Sequence, residues 1–111
     1  MKKKVLLVDE LEIMKIGLSL IFKQEKSFEL VAYAQNGSDA ISAMEIYKPD
    51  IVIIDYFLKN ENVIKVCKKI ISKSPKTKVV FFVSFNDDEF ILEALKAGAS
   101  GYLLKEIDSK E

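Results

Sequence analysis

Four short apolar runs each end on a side chain able to hold a cation or handle a phosphoryl group. Val5-Leu6-Leu7-Val8 leads into Asp9 and Glu10, Ile51-Val52-Ile53-Ile54 into Asp55, Val79 to Val83 into Ser84, and Tyr102-Leu103-Leu104 into Lys105. If these runs are parallel strands of one sheet, three carboxylates, a hydroxyl and an ammonium converge at its carboxyl edge, where open α/β sheets bind their ligands. Two carboxylates about 5 Å apart repel by roughly 3 kcal/mol at an effective dielectric of 20, a cost that a divalent cation removes. Magnesium suits such a site, because it takes a few carboxylate oxygens, keeps several waters and accepts a further ligand from a phosphate. Asp55 then serves as a ligand only, or as a nucleophile as well. A carboxylate attacking a phosphoryl group forms an acyl phosphate, which needs charge neutralisation and in-line positioning more than it needs a base. Lys105 and the metal supply the charge, and Ser84 a hydrogen bond to a phosphoryl oxygen.

Taken singly, each residue has a plainer explanation. An acidic pair after a strand caps the next helix, Asp55 sits in a solvated turn, Ser84 is a turn hydroxyl and Lys105 is a surface lysine. Their joint placement at four strand ends argues against four separate accidents. Tyr102 lies three residues before Lys105, so alternation points it to the opposite face, to pack on the last helix or to act in a switch. Cys67 reads as core filler.

The elements that must position these groups alternate along the chain. Unbroken apolar runs separated by stretches of helical period are the pattern of βα units and a parallel, fully buried sheet. Ile13, Ile16, Gly17, Leu20 and Ile21 recur at helical spacing and predict a helix over 11–24 with that stripe on the sheet. Residues 28–34 read as a second strand. Asn36-Gly37-Ser38 is a turn that caps a helix from about Asp39, with Ala40, Ile41, Met44 and Tyr47 inward, and Pro49 ends it. Val63, Val66, Cys67, Ile70 and Ile71 form a third helical stripe, closed by Ser74-Pro75. Asn86, with Glu89 three residues on, is the expected cap of a fourth helix that carries Ile91, Ala94 and Leu95 and ends at Gly98. The last strand, 101–104, leaves too few residues for a closing helix, so the chain is expected to stop inside a larger protein.

Length and composition set the bounds. A chain of 111 residues, half of them apolar, is one domain with a substantial core. Seventeen basic residues balance seventeen acidic ones, so no net field draws the chain to nucleic acid or an anionic membrane. The single cysteine and the lack of histidine exclude an internal disulfide and a zinc site and fit a reduced, cytoplasmic setting. The apolar run after Met1 meets Asp9 too soon for a signal peptide, and no run reaches the roughly 18 residues of a membrane span.

These residues resemble the receiver domain of two-component response regulators. "VLLVDE", "PDIVIID", "VVFFVS" and "ALKAGASGYLLK" stand in the order and spacing of that family's motifs, over essentially the whole chain. The resemblance implies a doubly wound five-stranded parallel α/β sheet of flavodoxin-like order 2-1-3-4-5, residues 1–111 forming the receiver with its last helix truncated. It makes Asp55 the phosphorylation site. Asp9, Glu10, Asp55 and the carbonyl of Phe57 become the Mg2+ ligands, Ser84 and Lys105 the phosphoryl partners, and Ser84 with Tyr102 the switch pair. It further implies a sensor histidine kinase as donor, a homodimer on phosphorylation, and transcription control through a DNA-binding domain absent from this chain. Glu106 after the lysine is similar to the subgroup with LuxR-type helix-turn-helix outputs. Beyond self-phosphorylation and autodephosphorylation no enzyme activity is expected.

The chain departs from the family pattern in three places. Glu10 stands where aspartate is usual, and Lys59 and Val63 stand where proline and glycine usually shape the loop after Asp55. These departures keep open an alternative, a phosphorylation-independent module of the same fold. A metal-dependent phosphohydrolase would want a carboxylate where Phe57 stands, and a nucleotide site would want a glycine-rich loop after the first strand.

Overall fold

The computed structural model describes residues 2–84 and 87–104. The elements run β1 (Lys3–Val8), α1 (Glu12–Gln24), β2 (Phe28–Ala34), α2 (Gly37–Tyr47), β3 (Ile51–Asp55), α3 (Val63–Lys73), β4 (Lys78–Val83), α4 (Asp88–Lys96) and β5 (Gly101–Leu104). All strand pairs are parallel, and the sheet order is β2-β1-β3-β4-β5, as the resemblance implies. The order reverses direction between β1 and β3. That switch point opens a crevice at the carboxyl ends of these two strands.

Side-chain alternation along the strands divides the interior in two. Leu6, Val8, Val52, Ile54, Val79 and Phe81 face α2, α3 and α4, and make the larger core with Met44, Cys67 and Ile70. Val5, Leu7 and Ile53 face α1 and make a smaller core with Leu18. On this second side a wholly apolar groove of about 400 Å³, lined by residues including Val5, Ile53, Val80, Phe82 and Leu103, lies beside α1. Among the described residues, no helix is long and apolar enough to cross a membrane.

The face of α1 differs from the expectation. Ile13, Ile16, Leu20 and Ile21 are 50% to 64% exposed, whereas Leu18 is buried with Met14 and Phe22 packed beside it. Met14, Leu18 and Phe22 recur at i, i+4 and i+8, so this helix carries two apolar stripes. Periodicity alone does not say which one the sheet takes. Tyr47, expected inward, is exposed at the last turn of α2, just before Lys48 turns into the left-handed region at φ 46°. Asn36 caps α2 as expected, accepting from Asp39 N at 2.8 Å, but the helix starts at Gly37, two residues before the expected Asp39. At α4 the cap is Asp87, which accepts from Phe90 N at 3.1 Å, while Asn86 lies outside the described residues.

Candidate functional site

Register brings the acidic residues together. Val8 of β1 pairs with Ile54 of β3, which sets Asp9 level with Asp55, and Asp55 pairs in turn with Phe82 of β4. Asp9 is fully buried and Asp55 is 9% exposed, both at the switch-point crevice. Asp9 is held on several sides: its backbone N–H donates to Ala34 O (3.0 Å), its Oδ1 accepts from Leu11 N (2.9 Å), and its carbonyl accepts from the Tyr33 hydroxyl (2.8 Å). Burial, more than the nearby Asp9 charge, pushes the Tyr33 phenol up from its ordinary 10, against a lowering contact from Gln35. Ser84, two residues beyond Phe82, is exposed at the same edge. Tyr102 is 41% exposed on β5, in register with Phe81. Lys105 and Glu106 lie outside the described residues.

The loop from Asp55 to α3 takes a form that the sequence did not reveal. Leu58 is buried in the larger core, while Phe57 is 64% exposed, and any metal contact there falls to its backbone carbonyl. Glu61 N donates to Leu58 O (3.1 Å) across Lys59 and Asn60. Asn60 has φ 62° and Lys59 has a negative φ, the pattern of a type II turn in which asparagine replaces glycine at the third position. Both oxygens of Glu61 accept from Gly37 N, at 2.9 and 3.1 Å, joining the loop to the start of α2. Asn62 Oδ1 caps α3 through Ile64 N and Lys65 N. Lys59 N donates to Glu10 Oε2.

The residue types fit a hard cation, since two buried carboxylates stand at adjacent strand ends and a third follows in sequence. Among the described residues, no three acidic, histidine or cysteine side chains are yet arranged to grip an ion, and the Glu10 carboxylate is on the loop amide instead. Asp9, Glu10, Asp55 and the Phe57 carbonyl would hold the metal. Away from this edge, burial pushes the Cys67 thiol up to about 11, which removes it as a nucleophile.

Sequence reasoning missed Tyr56, Asp87 and Glu61. Tyr56 donates to Asp87 Oδ2 at 3.2 Å and meets the Phe90 ring edge-on, with centroids 4.5 Å apart. Only the local half of this arrangement, Asp87 three residues before Phe90, carries a sequence signal, as a helix cap.

The profile of the response regulator receiver domain matches residues 5–111. The chain belongs to this family. Curated relatives of the receiver domain include the transcriptional regulatory protein DegU of Brevibacillus brevis, 32% identical over 97% of this chain and 46% of that protein. The DNA-binding transcriptional activator DevR/DosR of Mycobacterium tuberculosis is 32% identical over 97% of this chain and 50% of its own length. The receiver domain thus spans about half the length of the curated relatives it matches. Among solved structures, a LuxR-family two-component response regulator from Aurantimonas sp. SI85-9A1 superposes with a TM-score of 0.89 at 27% identity, covering 97% of this chain and 77% of that one. Receiver domains typically bind Mg2+, and those of transcriptional regulators are generally not enzymes in the usual sense.

Proposed function

We propose that this receiver domain takes a phosphoryl group from the phosphohistidine of a sensor histidine kinase onto Asp55. The observation that carries this reading is the pair Asp9 and Asp55, both buried and level at the switch point. A carboxylate oxygen of Asp55 attacks phosphorus, the N–P bond breaks with its electron pair left on the imidazole, and an aspartyl phosphate results. Asp9, Glu10, Asp55 and the Phe57 carbonyl would hold Mg2+, which would supply positive charge against the phosphoryl oxygens. Ser84 donates its hydroxyl to one phosphoryl oxygen, and Lys105 places its ammonium on another. In the reverse step a water oxygen attacks phosphorus, the P–O bond to Asp55 breaks with its electron pair left on the carboxylate, and inorganic phosphate departs. Phosphorylation shifts the population of a two-state switch through Ser84 and Tyr102.

Residues 1–111 form the receiver portion of a longer regulator that works in the cytoplasm. Its output is transcription control through a LuxR-type helix-turn-helix domain outside this chain, with homodimer formation on phosphorylation. The lengths and names of the curated relatives support this reading. The near-neutral charge of this chain leaves DNA contact to the output domain.

One observation favours a second reading, a module of the same fold that works without phosphorylation: the Glu10 carboxylate is engaged by Lys59 N. Intact-mass spectrometry after acetyl phosphate, with and without Mg2+, separates the two. The first reading expects a single phosphoryl adduct that needs the metal and is absent from Asp55→Asn. A folded protein that takes no adduct belongs to the second.

A further inference from the structure

Two positions at which this chain departs from its family's pattern, Glu10 and Lys59, are 49 residues apart and touch. The contact depends on both departures, since an aspartate at position 10 is one methylene shorter and a proline at position 59 has no N–H to donate. Elsewhere the loop is anchored by other means: Leu58 in the core, Glu61 on Gly37 N, and Asn62 on the start of α3. The tip formed by Lys59 and Asn60 is exposed, and the side-chain tie upon it is Glu10.

We infer that Glu10 is a two-position residue: without a cation its carboxylate holds the loop after Asp55 through Lys59 N–H, and a divalent cation at Asp9 and Asp55 draws it away. Cation occupancy is thereby transmitted as release of the loop tip, and the loop tie competes with the cation for one carboxylate. This rests on the cation site proposed above. Glu10 is a positioning residue for the loop as well as a ligand. The cation must displace a hydrogen bond to a charged acceptor, so it binds more weakly than the same site would without the tie. Lys59 offers a clean way to cut the tie. It occupies the second position of a type II turn, where proline is favoured, so Lys59→Pro deletes the donor and leaves the turn.

The test is amide NMR of the protein titrated with Mg2+, comparing the native chain with Glu10→Asp and Lys59→Pro. In the native protein the Lys59 amide is expected to be protected from solvent exchange without Mg2+ and to lose that protection as the amides around Asp9 and Asp55 shift. In Glu10→Asp it is unprotected from the start. Lys59→Pro is expected to bind Mg2+ about tenfold to a hundredfold more tightly, the weight of one charge-assisted hydrogen bond. If the amides around Asp9 and Asp55 respond while Lys59 stays protected, and Lys59→Pro leaves the affinity unchanged, the exchange is wrong and the cation site stands. If no amide near Asp9 and Asp55 responds in a folded sample, the cation site itself fails and the exchange fails with it.

Discussion

Tyr56 and Asp87 join the end of β3 to the start of α4. The Tyr56 hydroxyl donates to Asp87 Oδ2, and the other Asp87 oxygen accepts from Phe90 N in the first turn of the helix. Phe90 closes the arrangement by standing edge-on to Tyr56 and, at 5.1 Å, edge-on to Phe81 of β4. The residue next to Asp55 is therefore mechanically connected to the helix beyond Ser84.

The first expectation concerns this pair. Tyr56→Phe keeps the ring contact and removes only the hydroxyl, so it should destabilise the fold by about 1 kcal/mol. Asp87→Ala removes that bond and the helix cap together, and a loss of about 1–2 kcal/mol is expected. Because Asp87 serves both, the double variant should lose less than the sum of the two. Urea midpoints of the three variants measure this, and strict additivity would show that the hydroxyl and the cap act independently.

A second expectation is a loss of stability at high pH. Burial is the main cause that raises the Tyr33 and Tyr56 phenols above 10, assisted at Tyr56 by the bond to Asp87 and at Tyr33 by the Asp9 charge. A folded-state value above the unfolded one favours the protonated form on folding. The associated stability is thus complete below pH 10 and disappears as pH rises through the folded values. Absorbance near 295 nm should show late-ionising tyrosines in the native protein, and Tyr56→Phe should remove part of that late phase. A titration that is unchanged in Tyr56→Phe would mean that this phenol is not among them.

How far the fold could be read from the chain depends on what each signal encodes. Five strands and four helices were legible because buried parallel strands are unbroken apolar runs and the helices have their own period. The placement of Asp9, Asp55 and Ser84 at the carboxyl edge of the sheet was legible because each terminates such a run. The face of α1 was not, since either of its two stripes satisfies the helical period. Nor were Glu61 on Gly37 N, Glu10 on Lys59 N, or Tyr56 on Asp87, at separations of 24, 49 and 31 residues. These contacts depend on how loops fold over the sheet edge, which no local pattern records.

The third expectation checks the corrected face of α1. Leu18 is 9% exposed in the smaller core, and Leu18→Ala should destabilise by about 2–4 kcal/mol through lost burial and the cavity left behind. Ile13 is 64% exposed, and Ile13→Ala should stay within about 0.5 kcal/mol. Thermal or urea unfolding of the two variants decides between the stripes, and the reverse order would restore the face expected from Ile13, Gly17 and Leu20.

The last expectation concerns the tight packing between the loop and α2. A Cβ on Gly37 would come within 2.5 Å of Glu61 Oε1 and 2.8 Å of Val66 Cγ2. Gly37→Ala therefore both overpacks the seam between α2 and α3 and displaces the carboxylate that accepts from Gly37 N. A loss of about 1–3 kcal/mol is expected, in the range of inserted methyl groups in a packed site. Glu61→Ala makes room but leaves the N–H at the start of α2 without its acceptor, at a cost of about 1–2 kcal/mol. Combining the two should cost less than their sum, because the added methyl no longer meets the Glu61 carboxylate and the hydrogen bond can be lost only once. Val66 sets the limit of that rescue, since its own methyl remains in the way. A double-mutant cycle in urea gives the coupling directly, and a coupling near zero would mean that Glu61 does not hold the loop on α2.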